Sequence, residues 1–197
     1  MGQSDASQAG CVIRVASSTD DYKSFRQIAL EYHEFLNMDL SFQNFEEEMA
    51  GLPGCYGPPG GAMLIASVTT DAGVQDAGGV AVRPLPQKGS SQQSKDPGVE
   101  GAVANGFLDG LNQKSTGSVC EMKRLYVRPQ FQGRRLGRAL CEELIRISRE
   151  MGYEYMVLDT LEKLEAAGRM YSKLGFEQCP PYYHNPFPGV VYWRKQL

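Results

Sequence analysis

Two hydrophobic periods alternate along this chain, and each change of period marks an element. Residues 11–16 (CVIRVA) form an apolar run of strand length, closed by a Ser-Ser-Thr-Asp cluster that signals a helix N-cap. Behind it Tyr22, Phe25, Ile28, Ala29, Tyr32, Phe35 and Leu36 recur at spacings of three and four, which predicts an amphipathic helix to about Asn37. A second, shorter helix is expected over residues 42–50, with Phe42, Phe45 and Met49 as packing side chains and His33 at the edge of the core. Glycine and proline fill residues 51–61 and set turns. Apolar runs at 62–68 and 78–82 then predict an antiparallel hairpin. From 87 to 117 the pattern lapses into Gly, Ser, Gln, Lys and Asp, the composition of a mobile insertion, with Val103, Phe107 and Leu111 hinting at a short helix inside it.

The period-two pattern returns at residues 119–127 and stops at Pro129. Leu136, Leu140, Leu144, Ile147 and Met151 follow at helical spacing, ended by Gly152 with Arg146 and Arg149 near the negative end of the helix dipole. A strand therefore feeds a glycine-containing turn that opens into a helix. The first amides of a helix lack intrahelical partners and carry the positive end of its dipole, and Gly133 and Gly137 allow close approach to the main chain. Such a corner suits a di- or triphosphate. The alternative is a tight turn with its arginines on a solvated face. Residues 155–160 (YMVLDT) form a further strand, and strand, helix, strand implies parallel pairing with a right-handed crossover. The sheet is thus mixed. A helix over 164–173, ended by Gly175, precedes an aromatic turn (Pro-Pro-Tyr-Tyr-His-Asn-Pro, 180–186) and a last strand over 189–194. The turn reads either as a sheet edge or as the rim of an acceptor site.

Charge and composition narrow the picture. The net charge is -3, yet Lys123, Arg124, Arg128, Arg134, Arg135 and Arg138 gather at the corner, with no acidic residue between Glu121 and Glu142. With 197 residues, 42% of them hydrophobic, one domain suffices to bury a core. Polar residues 1–10 are expected to be disordered, and no apolar run approaches membrane-spanning length, so a soluble, cytoplasmic chain with no membrane partner is expected. Five scattered cysteines read as reduced thiols, with no metal site. An acidic chain without a long basic run makes nucleic acid an unsuitable partner.

The corner is neither GxxxxGK[ST] nor GxGxxG. Gln132-Gly133-Arg134-Arg135-Leu136-Gly137 instead resembles the Gln/Arg-x-x-Gly-x-Gly/Ala acetyl-coenzyme A motif of the GNAT family of N-acetyltransferases, with Val127, Pro129 and Leu140 also where that family has them. Arg135 stands where the family usually has glycine. Ala167 followed by Met170-Tyr171-Ser172-Lys173-Leu174-Gly175-Phe176 resembles the family's Ala-x-x-Leu-Tyr-x-x-x-Gly-Phe signature, although Leu164 replaces a frequent asparagine. The resemblance implies an α/β, single-domain GNAT fold over residues 11–197, with a mostly antiparallel mixed sheet, a splayed parallel pair of central strands and helices on both faces. It implies acetyl-CoA as cosubstrate, held at Gln132, Gly133, Arg134, Arg135, Leu136, Gly137 and Arg138, and an oxyanion donor among the amides of Leu125, Tyr126 and Val127. Glu121 matches a family base and Tyr171 the family's general acid, which protonates the departing thiolate. The alternatives are a strand-edge carboxylate paired with Lys123 or Arg124 for the one and a side chain packed next to Phe176 for the other. The acceptor expected is a primary amine of a small molecule or a peptide N-terminus, and the protein a monomer or homodimer. The competing reading is a catalytically silent module that binds or senses coenzyme A.

Overall fold

The computed structural model describes residues 10–38, 44–85 and 118–197. The insertion expected over 87–117, with its short helix, lies outside the described residues, as do the N-terminal nine residues and Phe42.

Seven strands form one sheet in the order β1-β2-β3-β4-β5-β7-β6. Strands β1 (Cys11–Val15), β2 (Ala62–Thr70), β3 (Gly73–Pro84) and β4 (Val119–Val127) pair antiparallel in sequence. The parallel step joins β4 to β5 (Tyr155–Leu161), and β7 (Val190–Gln196) then runs antiparallel between β5 and the short β6 (Glu177–Cys179). The expected mixed sheet is present. Its hairpin is longer than the apolar runs suggested, because β2 and β3 extend through polar residues to a tight turn at Asp71 and Ala72. Strand β6 went unpredicted: three residues at an edge, Glu-Gln-Cys, carry no alternation to read.

Helices cover both faces. Helix α1 (Thr19–Leu36) starts at Ser18, whose hydroxyl accepts from the Asp21 amide while the Asp21 carboxylate accepts from the Ser18 amide, and it ends at Asn37 in the left-handed conformation. It buries Phe25, Ile28, Ala29 and Leu36 together with Met63, Ile65 and Ala81 of the sheet and with Phe45 and Met49 of α2 (Phe45–Ala50). His33 accordingly packs on Phe45, ring centroids 4.7 Å apart, with Nε2 2.9 Å from the Met38 carbonyl oxygen. The opposite face holds α3 (Leu136–Glu150) and α4 (Glu165–Lys173), with Leu140, Cys141 and Leu144 against Leu64, Val80, Met122, Met156 and Leu158.

Strand β4 is buried on both faces along most of its length, as a central strand must be. A bulge breaks its register: between Lys123 and Tyr126 it advances three residues while β3 advances two, from Ala81 to Gly79. Arg124 takes up the extra residue at φ 60°. The bulge also exchanges the faces, so Cys120 and Met122 before it pack on the α3 side, whereas Tyr126 after it packs with α1. Strand β3 approaches closely there, since a Cβ on Gly78 would lie 2.4 Å from the Tyr126 carbonyl oxygen.

Candidate active site

Pairing between β4 and β5 covers three residues, Val119 with Tyr155, Cys120 with Met156 and Glu121 with Val157. Beyond Glu121 the two strands part. The gap opens into a cleft, partly open to solvent, lined by Met122 to Leu125 of β4 and Leu158 to Leu161 of β5. Tyr32, Leu36 and Met38 close it on the α1 side, Tyr171 stands on α4, and Asn185 and Phe187 come from the turn before β7. A cleft at the carboxyl ends of a parallel pair is where open α/β sheets bind ligands.

The corner at the end of β4 has the expected form. A 3-10 turn (Pro129–Phe131) leads to Gly133 at φ 78° and Arg135 at φ 61°, and α3 begins at Leu136. Among the described residues no amide from Gly133 to Arg138 donates to a main-chain carbonyl, and the first to do so is Ala139, to Arg135. No acidic residue occupies the first turn. This row of unpartnered N–H groups at the start of a 15-residue helix is a donor set for phosphate oxygens. Arg135 holds the left-handed backbone despite its Cβ, a conformation that costs a non-glycine residue about 1–2 kcal/mol. The nearby cations differ in commitment. Arg128 makes two bonds to Glu31, at 2.7 and 2.9 Å, and Arg138 pairs with Glu142 at 2.8 Å, whereas Arg134 lies over the Phe131 ring and Arg135 is exposed.

Of the three residues expected to offer an oxyanion donor, Leu125 lines the cleft. Tyr126 and Val127 lie opposite Gly79 and Gly78 of β3.

Tyr171 borders the cleft from α4. Its ring lines the cleft, wedged against Phe176 and Trp193, and burial pushes its phenol well above the ordinary value, so it stays protonated at neutral pH. Leu164, in place of a capping asparagine, leaves α4 without a side-chain cap and packs instead in the α1-side core.

Glu121 is elsewhere. It is 1% exposed, does not line the cleft, and receives Arg83 Nε at 2.8 Å, Lys123 Nζ at 3.2 Å and the Tyr182 hydroxyl at 2.8 Å. Burial alone would raise its pKa, but the Lys123 and Arg83 charges and the two hydrogen bonds outweigh that and hold it at about 2. A carboxylate held by two cations and a phenol is a weak base, which argues for a positioning role.

The carboxylate that does reach the cleft is Asp159. Its Oδ1 accepts from Lys123 Nζ at 3.2 Å, and its Oδ2 accepts from the Tyr183 hydroxyl at 2.8 Å and Asn185 Nδ2 at 3.1 Å. Sequence reasoning passed over it, although it is the sole charged residue in YMVLDT, a signal that was available. The aromatic turn packs against the sheet and also contributes to the cleft. Tyr182 and Tyr183 are packed with Tyr192 and fix the two carboxylates, while Asn185 and Phe187 form part of the lining. On the other wall Arg124 makes two bonds to Glu48, at 2.9 and 3.0 Å, and stacks over Phe45, while Tyr56 donates to the same carboxylate at 2.9 Å.

A parallel pair that parts after three residues, with a bulge in one of its strands, thus places a cleft next to a helix start whose amides lack partners. Residues 96–176 match the model of the acetyltransferase (GNAT) family. An uncharacterised N-acetyltransferase of Schizosaccharomyces pombe is 39% identical over 177 residues, covering 90% of this chain and 89% of that protein. One of Dictyostelium discoideum is 30% identical over 214 residues, covering 93% and 98%. The fold is shared with NAA60 of Arabidopsis thaliana, solved in complex with acetyl-CoA, at a TM-score of 0.62 and 12% identity over 95% of this chain and 98% of that one. The chain belongs to the GNAT acetyltransferase family.

Proposed function

We propose that this protein transfers an acetyl group from acetyl-CoA to a primary amine bound in the cleft where β4 and β5 part. The observation that carries the reading is the coincidence, on one strand, of the cleft and the helix start: β4 lines the one with Met122 to Leu125 and leads within a few residues into the unpartnered amides of the other. The residues present fit the cosubstrate. The amides from Gly133 to Arg138 would hold its pyrophosphate, with Gln132 at the turn before them, and Arg134 and Arg135 would add charge. Arg138 contributes less, being already paired with Glu142.

When bound, acetyl-CoA supplies an activated thioester. The protein's share is to orient, to hold charge and to move protons. Among Leu125, Tyr126 and Val127, the amide of Leu125 is the preferred donor to a developing oxyanion, because that residue faces the cleft. The bound ammonium first loses one proton to solvent, and the free amine attacks. Tyr171 gives its proton to the departing sulfur and is restored by the proton that the nitrogen sheds as the amide forms, a role supported by its protonated state and its place in the lining. Glu121 acts as a positioning residue: it neutralises Arg83 and Lys123 beneath the cleft and fixes Tyr182.

The test is calorimetric titration with acetyl-CoA over a range of salt concentrations. Binding with an affinity that weakens as salt rises is expected, since exposed charges are screened over about 8 Å at physiological ionic strength. No heat and no thermal shift would sink the proposal.

A further inference from the structure

Beneath the cleft, charges alternate in a buried row. Arg83 meets Glu121 at 2.8 Å, Glu121 meets Lys123 at 3.2 Å, and Lys123 meets Asp159 at 3.2 Å. The first three lie on β3 and β4, with Glu121 and Lys123 side chains less than a tenth exposed, and the row ends on β5 with Asp159 at the cleft surface. The member that would continue the alternation is a cation, and its place is inside the cleft.

Asp159 has capacity for it. A carboxylate offers about four acceptor positions. Oδ2 takes Tyr183 and Asn185, and Oδ1 takes Lys123 alone, which leaves a position on Oδ1. Because Lys, Tyr and Asn all donate to it, Asp159 is held as an acceptor and in a fixed orientation. It is also the one carboxylate among the described lining residues.

An anionic group on the acceptor finds no comparable reception. The cations in the described lining are Lys123 and Arg124, and both are committed, Lys123 to two carboxylates and Arg124 to both oxygens of Glu48. A second negative charge there would lie unpaired beside Asp159, and burying an unpaired charge is costly. Much of the remaining lining, including Tyr32, Leu36, Met38, Leu161 and Phe187, presents hydrocarbon surface that suits an apolar body.

We propose that the acceptor is a small primary amine with a single positive charge and an apolar body, without a carboxylate, and that its ammonium binds on Asp159 Oδ1. The inference rests on the acetyl-CoA reading above and names the class of its second substrate. Asp159 is thus the acceptor-recognition residue, with Tyr183 and Asn185 as positioning residues behind it.

The experiment pairs acceptors that differ in one group: 2-phenylethylamine against phenylalanine and phenylalaninyl-glycinamide, and 3-methylbutylamine against leucine, each at saturating acetyl-CoA with thiol release followed. Each amine should exceed its carboxylated or peptidic counterpart at least tenfold in kcat/KM. Asp159→Asn should lower kcat/KM for the amines at least tenfold, through KM, with acetyl-CoA affinity measured by calorimetry unchanged and no loss of the melting transition. Should that variant fail to fold, the wild-type panel alone decides. Equal or better turnover of an amino acid or of the peptide amide overturns the inference while leaving the acetyl-CoA reading standing. Absence of acetyl-CoA binding in the calorimeter overturns both.

Discussion

Lys123 and Asp159 stand directly across the mouth of the opening between β4 and β5, with Nζ 3.2 Å from Oδ1, each two residues beyond the last paired position of its strand. Backbone hydrogen bonds end at Glu121 and Val157, and an ion pair takes over where they stop. Lys123 also compensates Glu121, so its removal leaves Asp159 without a cationic partner and buried Glu121 with Arg83 alone. Replacing it by the isosteric, uncharged Met should destabilise the fold by about 3–5 kcal/mol, the usual consequence of leaving a buried charge without its partner. Urea denaturation of Lys123→Met beside the wild type checks this, and an unchanged midpoint would show that the pair spans solvent rather than protein.

Tyr171→Phe keeps the ring that packs on Phe176 and Trp193 and removes the phenolic proton. Stability and acetyl-CoA affinity should hold, while kcat falls about 10²- to 10⁴-fold, the ordinary worth of general acid catalysis. Rate and melting curve belong together here. A variant with normal kcat would remove the acid role from Tyr171.

Glu121 should show itself in stability rather than in rate. Its folded pKa of about 2 lies below the ordinary 4.5, so its charge contributes stability that is complete above about pH 4.5 and disappears as the pH falls toward 2. Unfolding free energies measured across that window should decline with pH in the wild type and decline less in Glu121→Gln. The variant should keep the ascending limb of the pH–rate profile. Loss of that limb, with stability intact, would return the base assignment to Glu121.

The turn before α3 holds two left-handed residues of opposite suitability. Gly133→Ala should cost about 1 kcal/mol, because φ 78° is foreign to a side chain, whereas Arg135→Gly should be neutral or stabilising by up to about 1 kcal/mol. Both variants retain the main-chain amides proposed to hold phosphate. Acetyl-CoA affinity in Arg135→Gly should therefore drop by no more than the loss of one exposed charge, about 1 kcal/mol or less. A collapse of binding would mean that the Arg135 side chain, and not the amide row, holds the ligand.

Much of this was legible in the sequence because it depends on local physics. Period-two and period-3.6 patterns mark strands and helices wherever one face is buried, and the two motif segments, 132–137 and 167–176, fall where β4 meets α3 and along α4. The Ser-Ser-Thr-Asp cluster announced the start of α1, where Ser18 is the cap. What stayed hidden depends on chain segments far apart. Glu121 alone looks like a strand-edge carboxylate available for proton transfer, and its burial follows only when Arg83, 38 residues before it, and Tyr182, 61 residues after it, are brought to it. Asp159 gains its role the same way, from Lys123 on the neighbouring strand and from the aromatic turn. The bulge at Arg124 was equally silent, since nothing in Lys-Arg-Leu-Tyr states which strand will lie beside it or that Gly78 lets that strand come close.

One measurement tests the central claim most directly. The wild-type protein is mixed with acetyl-CoA and 2-phenylethylamine, and free thiol and acetylated amine are quantified in the same samples over time. Acetyl transfer in the cleft predicts equal amounts of the two products, a rate that saturates in both substrates, and loss of both together in Tyr171→Phe. If acetyl-CoA binds but neither this amine nor any other primary amine yields thiol or product, the cleft belongs to a coenzyme A binding module that performs no transfer.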